Sequence, residues 1–223
     1  MARGNILVTL KPDYCIWEAT AVGEPFSVRT GVYLDPEGWM VATDGYILAA
    51  VPCKINGPLA QGLVIPARFL AAISETFNED TPKPLALEIR TKGSAAVVSH
   101  VNHDTIMTTT PVRSAYPNWR NLIPPLTNMS QPHTQIMYNP ALVTRLGAAI
   151  GVKTPLIVLS QGYDPSIVPG LDGAFGLLMP VYTPDMIDYK ALALIASLRP
   201  VPQEPELASP SVEPEIPEDT APG

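Results

Sequence analysis

The sequence predicts an α+β protein in which one plan is used three times: a strand, then a helix, then a short antiparallel meander. The helices gather on one face of the antiparallel sheets. Three observations predict it. Short runs with apolar residues at every second position are separated by clusters of Pro, Gly, Asn and Asp. Two segments instead repeat an apolar residue every fourth position: Phe69, Ile73 and Phe77, then Leu142, Leu146 and Ile150. Each of these segments is preceded by one strand-like run and followed by several, an order that suits sheets with segregated helices.

The first copy begins with a strand over residues 5–10. Pro12 breaks it, and Asp13 is placed to cap a short helix over 14–21. Strands follow over 27–34 and 39–43. They are joined by Asp35-Pro36-Glu37-Gly38, which has Pro at the second and Gly at the fourth position of a type I turn. Asp44-Gly45 marks a further tight turn, because Gly tolerates positive φ, and a third strand runs over 46–52.

The second copy opens with the strand Leu63-Val64-Ile65. Pro66 suits the first turn of a helix carrying Phe69, Leu70, Ile73 and Phe77 on one face. Three strands follow, over 85–91, 95–101 and 105–112. The third copy restarts at 134–138. Asn139-Pro140 is an N-cap followed by Pro at the first helical position, and Gly151 is placed to end the helix. Strands over 156–160, 166–169 and 174–181 complete it. One more helix is expected over 183–199. Residues 200–223 are Pro-rich and acidic, with almost nothing to bury, so they are expected to be disordered.

Composition narrows the function classes. The 223 residues are 46% hydrophobic, enough for a sizeable core. A net charge of −7 argues against general coating of nucleic acid, although a local basic patch can oppose the total. Two cysteines, Cys15 and Cys53, are too few for a disulfide framework, and a reduced, cytoplasmic setting is expected. No apolar run has the roughly 18 residues of a spanning helix, and the N-terminus lacks a signal-peptide pattern, so no membrane partner is expected.

Chemistry is sparse. His100 and His103 have a spacing open to metal ligation, with Asp104 adjacent, but they flank a turn and are expected to be a solvated pair. His133 sits in a polar linker. Glu75, Glu79 and Asp80 read as the polar side and end of a helix. There is no Gly-rich phosphate loop, no Gly-x-Ser-x-Gly elbow, and no His near either cysteine. The expectation is a binding protein, not an enzyme, with no cofactor and no metal.

Four segments carry a resemblance. Val41-Ala42-Thr43-Asp44-Gly45-Tyr46-Ile47-Leu48-Ala49 resembles the Thr-Asp-Gly-His-Arg-Leu-Ala signature of bacterial sliding clamps, the DNA polymerase III β subunit. Ile65-Pro66-Ala67-Arg68 is similar to that family's Val-Pro-Arg-Lys helix start. Tyr116-Pro117-Asn118-Trp119-Arg120 is similar to its Phe-Pro-Asp-Tyr-Arg linker, and Leu177-Leu178-Met179-Pro180-Val181 to its C-terminal Val-Val-Met-Pro-Met-Arg-Leu. The four occur in the family's order and extend over about residues 5–182.

The resemblance implies a DNA-clamp-like fold, with a complete domain over 1–115, a linker over 116–133 and a half domain over 134–182. It implies a hydrophobic groove that receives linear peptides of DNA polymerase and other replication proteins. Carried over to that groove are Thr43, Gly45, Tyr46, Ile47 and Leu48 from the turn, Pro117 and Ile123 from the linker, and Met179, Pro180 and Val181 from the last strand. Arg68, Arg145 and Lys153 are the cations on the helices that would face duplex DNA.

Three departures matter. The family's His-Arg after Asp-Gly is Tyr46-Ile47 here, and its terminal Arg-Leu after Met-Pro is Val181-Tyr182, which makes the groove more apolar. A bacterial clamp chain also has six half-units, whereas this one reads as three, a shortened clamp of the kind a phage or other mobile element would carry. With about one cation per helix, a single chain would hold DNA weakly. A closed homo-oligomer would gather several such helices, and four chains would supply the family's twelve half-units. The alternative is a clamp-like adaptor or decoy that binds host replication proteins without encircling DNA.

Overall fold

A computed structural model describes residues 5–23, 27–75, 84–92, 95–102, 105–112, 115–124, 137–158 and 164–181. The described residues all fall within one compact unit, Met1–Tyr182. The helix expected over 183–199 and the tail lie outside the described residues. No helix among the described residues is long and apolar enough to cross a membrane.

The first half-unit starts with β1 (Asn5–Leu10), whose Ile6, Val8 and Leu10 point inward. The helix expected over 14–21 is only a 3-10 turn, Ile16–Ala19. Its N-cap is Cys15, which makes no side-chain cap, so the capping role expected of Asp13 is not realised. With no cap and only four residues, one tight turn is what the segment sustains. The strand expected over 27–34 is likewise split into a 3-10 turn at Val28–Thr30 and β2 (Gly31–Asp35), because the Ser27 hydroxyl accepts from the Arg29 amide and starts a turn. Then come β3 (Trp39–Thr43), β4 (Ile47–Pro52) and a short β5 (Lys54–Asn56) that the apolar pattern did not signal.

The second half-unit is β6 (Leu63–Pro66), helix α1 (Ala67–Ser74), β7 (Leu85–Lys92), β8 (Ala95–Asn102) and β9 (Thr105–Thr109). Pro66 closes β6 and stands one residue before the helix. Phe69, Leu70 and Ile73 are buried, as the four-residue spacing predicts, and Phe77 lies outside the described residues. In the third half-unit, helix α2 (Pro140–Ala149) begins at Asn139, whose side chain accepts from the Ala141 amide. Gly151, at φ 77°, follows its end. Strands β10 (Ser166–Pro169) and β11 (Phe175–Leu178) form a hairpin.

Among the described residues these strands make two antiparallel sheets. One runs β5-β1-β7-β8-β9, the other β10-β11-β4-β3-β2-β6. The half-units therefore exchange strands. β1 of the first pairs with β7 of the second, while β6 of the second pairs with β2 of the first. The third half-unit extends the larger sheet through β11, which lies beside β4 with Leu177 opposite Leu48 and Gly176 opposite Ala49. Both α1 and α2 pack against the 3-10 turn at Ile16–Ala19, so the helical elements lie together.

The larger sheet is buried on both faces. On the inner face Val32, Leu34, Met40, Ala42, Ile47, Ala49, Val51 and Leu178 join the main core with Leu70, Ile73, Leu146 and Ile150 of the helices. On the outer face Val41, Leu48, Ala50 and Leu177 form a second cluster beneath Trp119, flanked by Tyr33, Trp39, Tyr116 and Phe175. Strands buried on both faces read as continuous apolar runs, which is why 47–51 lacks a polar–apolar alternation. Gly176 is required at its position. A Cβ there would sit 2.5 Å from Leu146 Cδ1, so α2 rests directly on the β11 backbone.

His100 departs from expectation. It is buried in β8, and its Nδ1 lies 2.8 Å from the Ala86 carbonyl, an acceptor only, so Nδ1 carries the proton. The residue shares the inward side with Val98, two positions earlier, and is not part of a solvated pair. His103 and Asp104 lie outside the described residues.

Candidate peptide-binding site

The turn at Asp44-Gly45 is built by its own side chains. Thr43 Oγ1 donates to the Ile47 carbonyl at 2.7 Å and accepts from the Gly45 amide at 3.0 Å. Asp44 Oδ1 accepts from the Tyr46 and Ile47 amides at 2.8 and 2.9 Å. Gly45 has φ 98°, a conformation that disfavours a side chain, and Arg29 Nη1 occupies the space a Cβ would approach. The Tyr46 ring is left 66% exposed on this rigid turn.

The last strand joins the turn. The Met179 amide donates to the Tyr46 carbonyl at 2.9 Å, and the Val181 amide donates to the Met137 carbonyl at 2.8 Å. Tyr46 from the first half-unit thus sits beside Met179 from the third. Behind them, in register along β4 and β11, lie Leu48 and Leu177. Both are buried, because Trp119 packs over them.

Trp119 belongs to a strap over residues 116–123 that crosses the outer face of the larger sheet. Trp119 Nε1 donates to Asp35 Oδ2, and Arg120 Nη1 donates to the same oxygen at 2.7 Å. Arg120 also pairs with Glu37 and stacks 4.3 Å above the Trp119 ring. Tyr116 lies flat on Tyr33, ring centroids 4.7 Å apart. Burial pushes the Asp35 carboxyl up, but hydrogen bonds from Arg120, the Glu37 amide and Trp119 outweigh it and hold it below the usual carboxylate range. Burial pushes the Tyr116 hydroxyl upward, and it raises the Cys53 thiol to about 12 and raises the Cys15 thiol as well, keeping both cysteines as thiols.

The residues assigned to the groove therefore divide. Tyr46, Pro117, Ile123 and Val181 are exposed, and Thr43, Met179 and Pro180 are half-buried. Gly45 is exposed at the turn. Ile47 and Leu48 are buried on opposite faces of the sheet, Ile47 in the main core and Leu48 in the outer cluster. Tyr46, Leu48, Met179 and Leu177 are brought together by the β4–β11 register. Trp119 was missed by sequence reasoning, although it stands inside the strap motif and its size was the available signal.

Of the cations expected to face DNA, Arg68 and Lys153 are exposed. Arg145 is engaged within the protein, with Nη1 on Asp44 Oδ2, Nε on the Glu18 carbonyl and Nη2 on the Thr20 carbonyl. No cluster of metal-ligating side chains occurs among the described residues.

Two exchanged sheets, helices gathered on one side and a strap over the outer face define the fold of a DNA sliding clamp. Many solved structures with this fold are DNA polymerase III β subunits. The sliding clamp of Bartonella birtlesii bound to griselimycin is 14% identical, with a TM-score of 0.56 over 82% of this chain and 68% of that one. The Thermotoga maritima β subunit is 13% identical, with a TM-score of 0.56 over 82% and 67%. The Pseudomonas aeruginosa clamp bound to griselimycin is 13% identical, with a TM-score of 0.58 over 81% and 66%. The chain thus spans about two thirds of the length of each. No family model and no curated protein sequence matches it. The likeness is one of fold.

Proposed function

We propose that this chain is a sliding-clamp-like processivity factor for a DNA polymerase. Copies of it oligomerise around duplex DNA in the cytoplasm, and replication proteins dock by linear peptides in the hydrophobic groove beside Tyr46. One observation carries the reading. The hydrogen bond from the Met179 amide to the Tyr46 carbonyl joins two segments that the resemblance assigns to one groove, although 133 residues separate them. An exposed aromatic ring beside a half-buried Met and Pro offers the apolar anchors that peptide recognition uses. Reading 1–115 as a complete domain and 134–182 as a half domain leads to a ring of four chains.

Griselimycin, which is bound in the Bartonella and Pseudomonas clamps, is a direct probe. Calorimetric titration is expected to give saturable binding to the full chain. A flat titration would remove the groove reading. Light scattering with and without duplex DNA tests the ring. Only monomer at micromolar concentration, with no DNA association at low salt, would sink it.

A second reading, a clamp-like adaptor or decoy that never encircles DNA, is favoured by one observation. Arg145, one of the three cations expected on DNA, is satisfied by Asp44 and two backbone carbonyls. Griselimycin binding by a protein that stays monomeric and ignores DNA would select this reading.

A further inference from the structure

The outlet of Arg145 has a consequence for the groove. We propose that Arg145 is a positioning residue for the peptide site: through Asp44, helix α2 of the third half-unit sets the turn that presents Tyr46. The proposal rests on the reading of Tyr46 and Met179 as groove residues.

Asp44 is nearly enclosed, its side chain 8% exposed. Oδ1 holds the Tyr46 and Ile47 amides, and Oδ2 faces Arg145 Nη1 at 2.9 Å. The guanidinium is itself fixed by the Glu18 carbonyl at 2.9 Å and the Thr20 carbonyl at 2.8 Å, on either side of the end of the 3-10 turn. Its planar fork meets three acceptors in three directions, a geometry that a lysine ammonium cannot reproduce on one stem. An enclosed carboxylate that loses its cation turns toward water, and here it would release two amides of the turn.

The other side of the turn is held independently. The Tyr46 carbonyl accepts from Met179, so the peptide groups before and after the ring are both bound. Among the described residues, Arg145 of α2 and Met179 after β11, both from the third half-unit, hold the turn from outside it. An anchor on a rigid backbone loses less freedom when a ligand binds, and that saving appears as affinity. Arg145 therefore acts on the ligand without touching it.

The test uses the full chain as wild type, Arg145→Ala, Arg145→Lys, Asp44→Asn and the double variant Asp44→Asn/Arg145→Ala. Two readouts are taken: griselimycin affinity by calorimetry and amide hydrogen exchange. The expected result is about tenfold weaker binding for Arg145→Ala, incomplete rescue by Lys, and a double variant no weaker than the worse single one. The Tyr46 and Ile47 amides exchange faster, while the amides of β3 and β4 beyond the turn keep wild-type protection. Wild-type affinity in Arg145→Ala, or exchange raised uniformly through β4, overturns the proposal. If Arg145→Ala does not fold, Arg145→Lys carries the same comparison. If the wild type fails to bind griselimycin, the groove reading falls on that arm alone. The exchange arm still decides whether Arg145 holds the turn: acceleration confined to Tyr46 and Ile47 supports it, and any other pattern overturns it.

Discussion

Trp119 Nε1 donates to Asp35 Oδ2 at 3.1 Å, and this bond fastens the strap to the larger sheet. Both partners are buried, Trp119 at 4% exposure and Asp35 at 4%. The same oxygen receives Arg120, so one carboxylate orders two consecutive strap residues. Beneath the indole lie Leu48 and Leu177, the floor behind the exposed Tyr46–Met179 edge. The strap is thus part of the sheet's outer core.

Trp119→Ala should cost about 3–5 kcal/mol, since it removes a large buried ring and uncovers the floor. Trp119→Phe keeps most of the apolar contact and loses only the donor to Asp35, at about 1–2 kcal/mol. Urea unfolding of the three proteins gives the comparison. Equal losses for Ala and Phe would show that the hydrogen bond, not the packing, holds the strap.

The strap should loosen in acid. The folded-state pKa of Asp35 lies below its unfolded value, so its contribution is fully present above about pH 4, the ordinary carboxylate value, and is lost as the pH falls through the folded value. Unfolding free energy measured across that window should fall more steeply for wild type than for Asp35→Asn. Parallel curves would contradict the assignment.

Gly176→Ala should destabilise by about 1–3 kcal/mol, because its methyl would meet Leu146 Cδ1 at 2.5 Å and Cγ at 2.8 Å. The effect should shrink when Leu146 is already Ala, since the clash partner is gone. Thermal melts of the four-member cycle read this directly, and additive losses would place the strain elsewhere.

Tyr46→Ala separates binding from folding. The ring is 66% exposed, so stability should change by no more than about 0.5 kcal/mol. Griselimycin affinity should fall about tenfold or more if the ring is an anchor. Unchanged affinity would remove Tyr46 from the site.

Much of the fold follows from short-range pattern. Short apolar runs bounded by turn residues, together with four-residue apolar spacing, placed β1, β3, β7, β8, α1 and α2. Asn139-Pro140 capped α2 as its chemistry requires, and Asp44-Gly45 made the expected turn. These signals work because each lies within one or two turns of chain, where backbone geometry and side-chain period decide the outcome. Adjacent strand residues face opposite ways, so Ile47 and Leu48 were never able to line one surface.

The sequence by itself determined most of the described elements, their order and the motifs that resemble a clamp. Tertiary structure decided their partners. Nothing local assigns Arg145 to Asp44, which lies 101 residues away, or sends Trp119 to Asp35 across 84. His100 is buried because β8 pairs on both sides, and β11 completes the turn at Tyr46 because it pairs with β4. A cation or an indole is satisfied by whichever acceptor the packed sheets bring within about 3 Å, and only long-range pairing sets that.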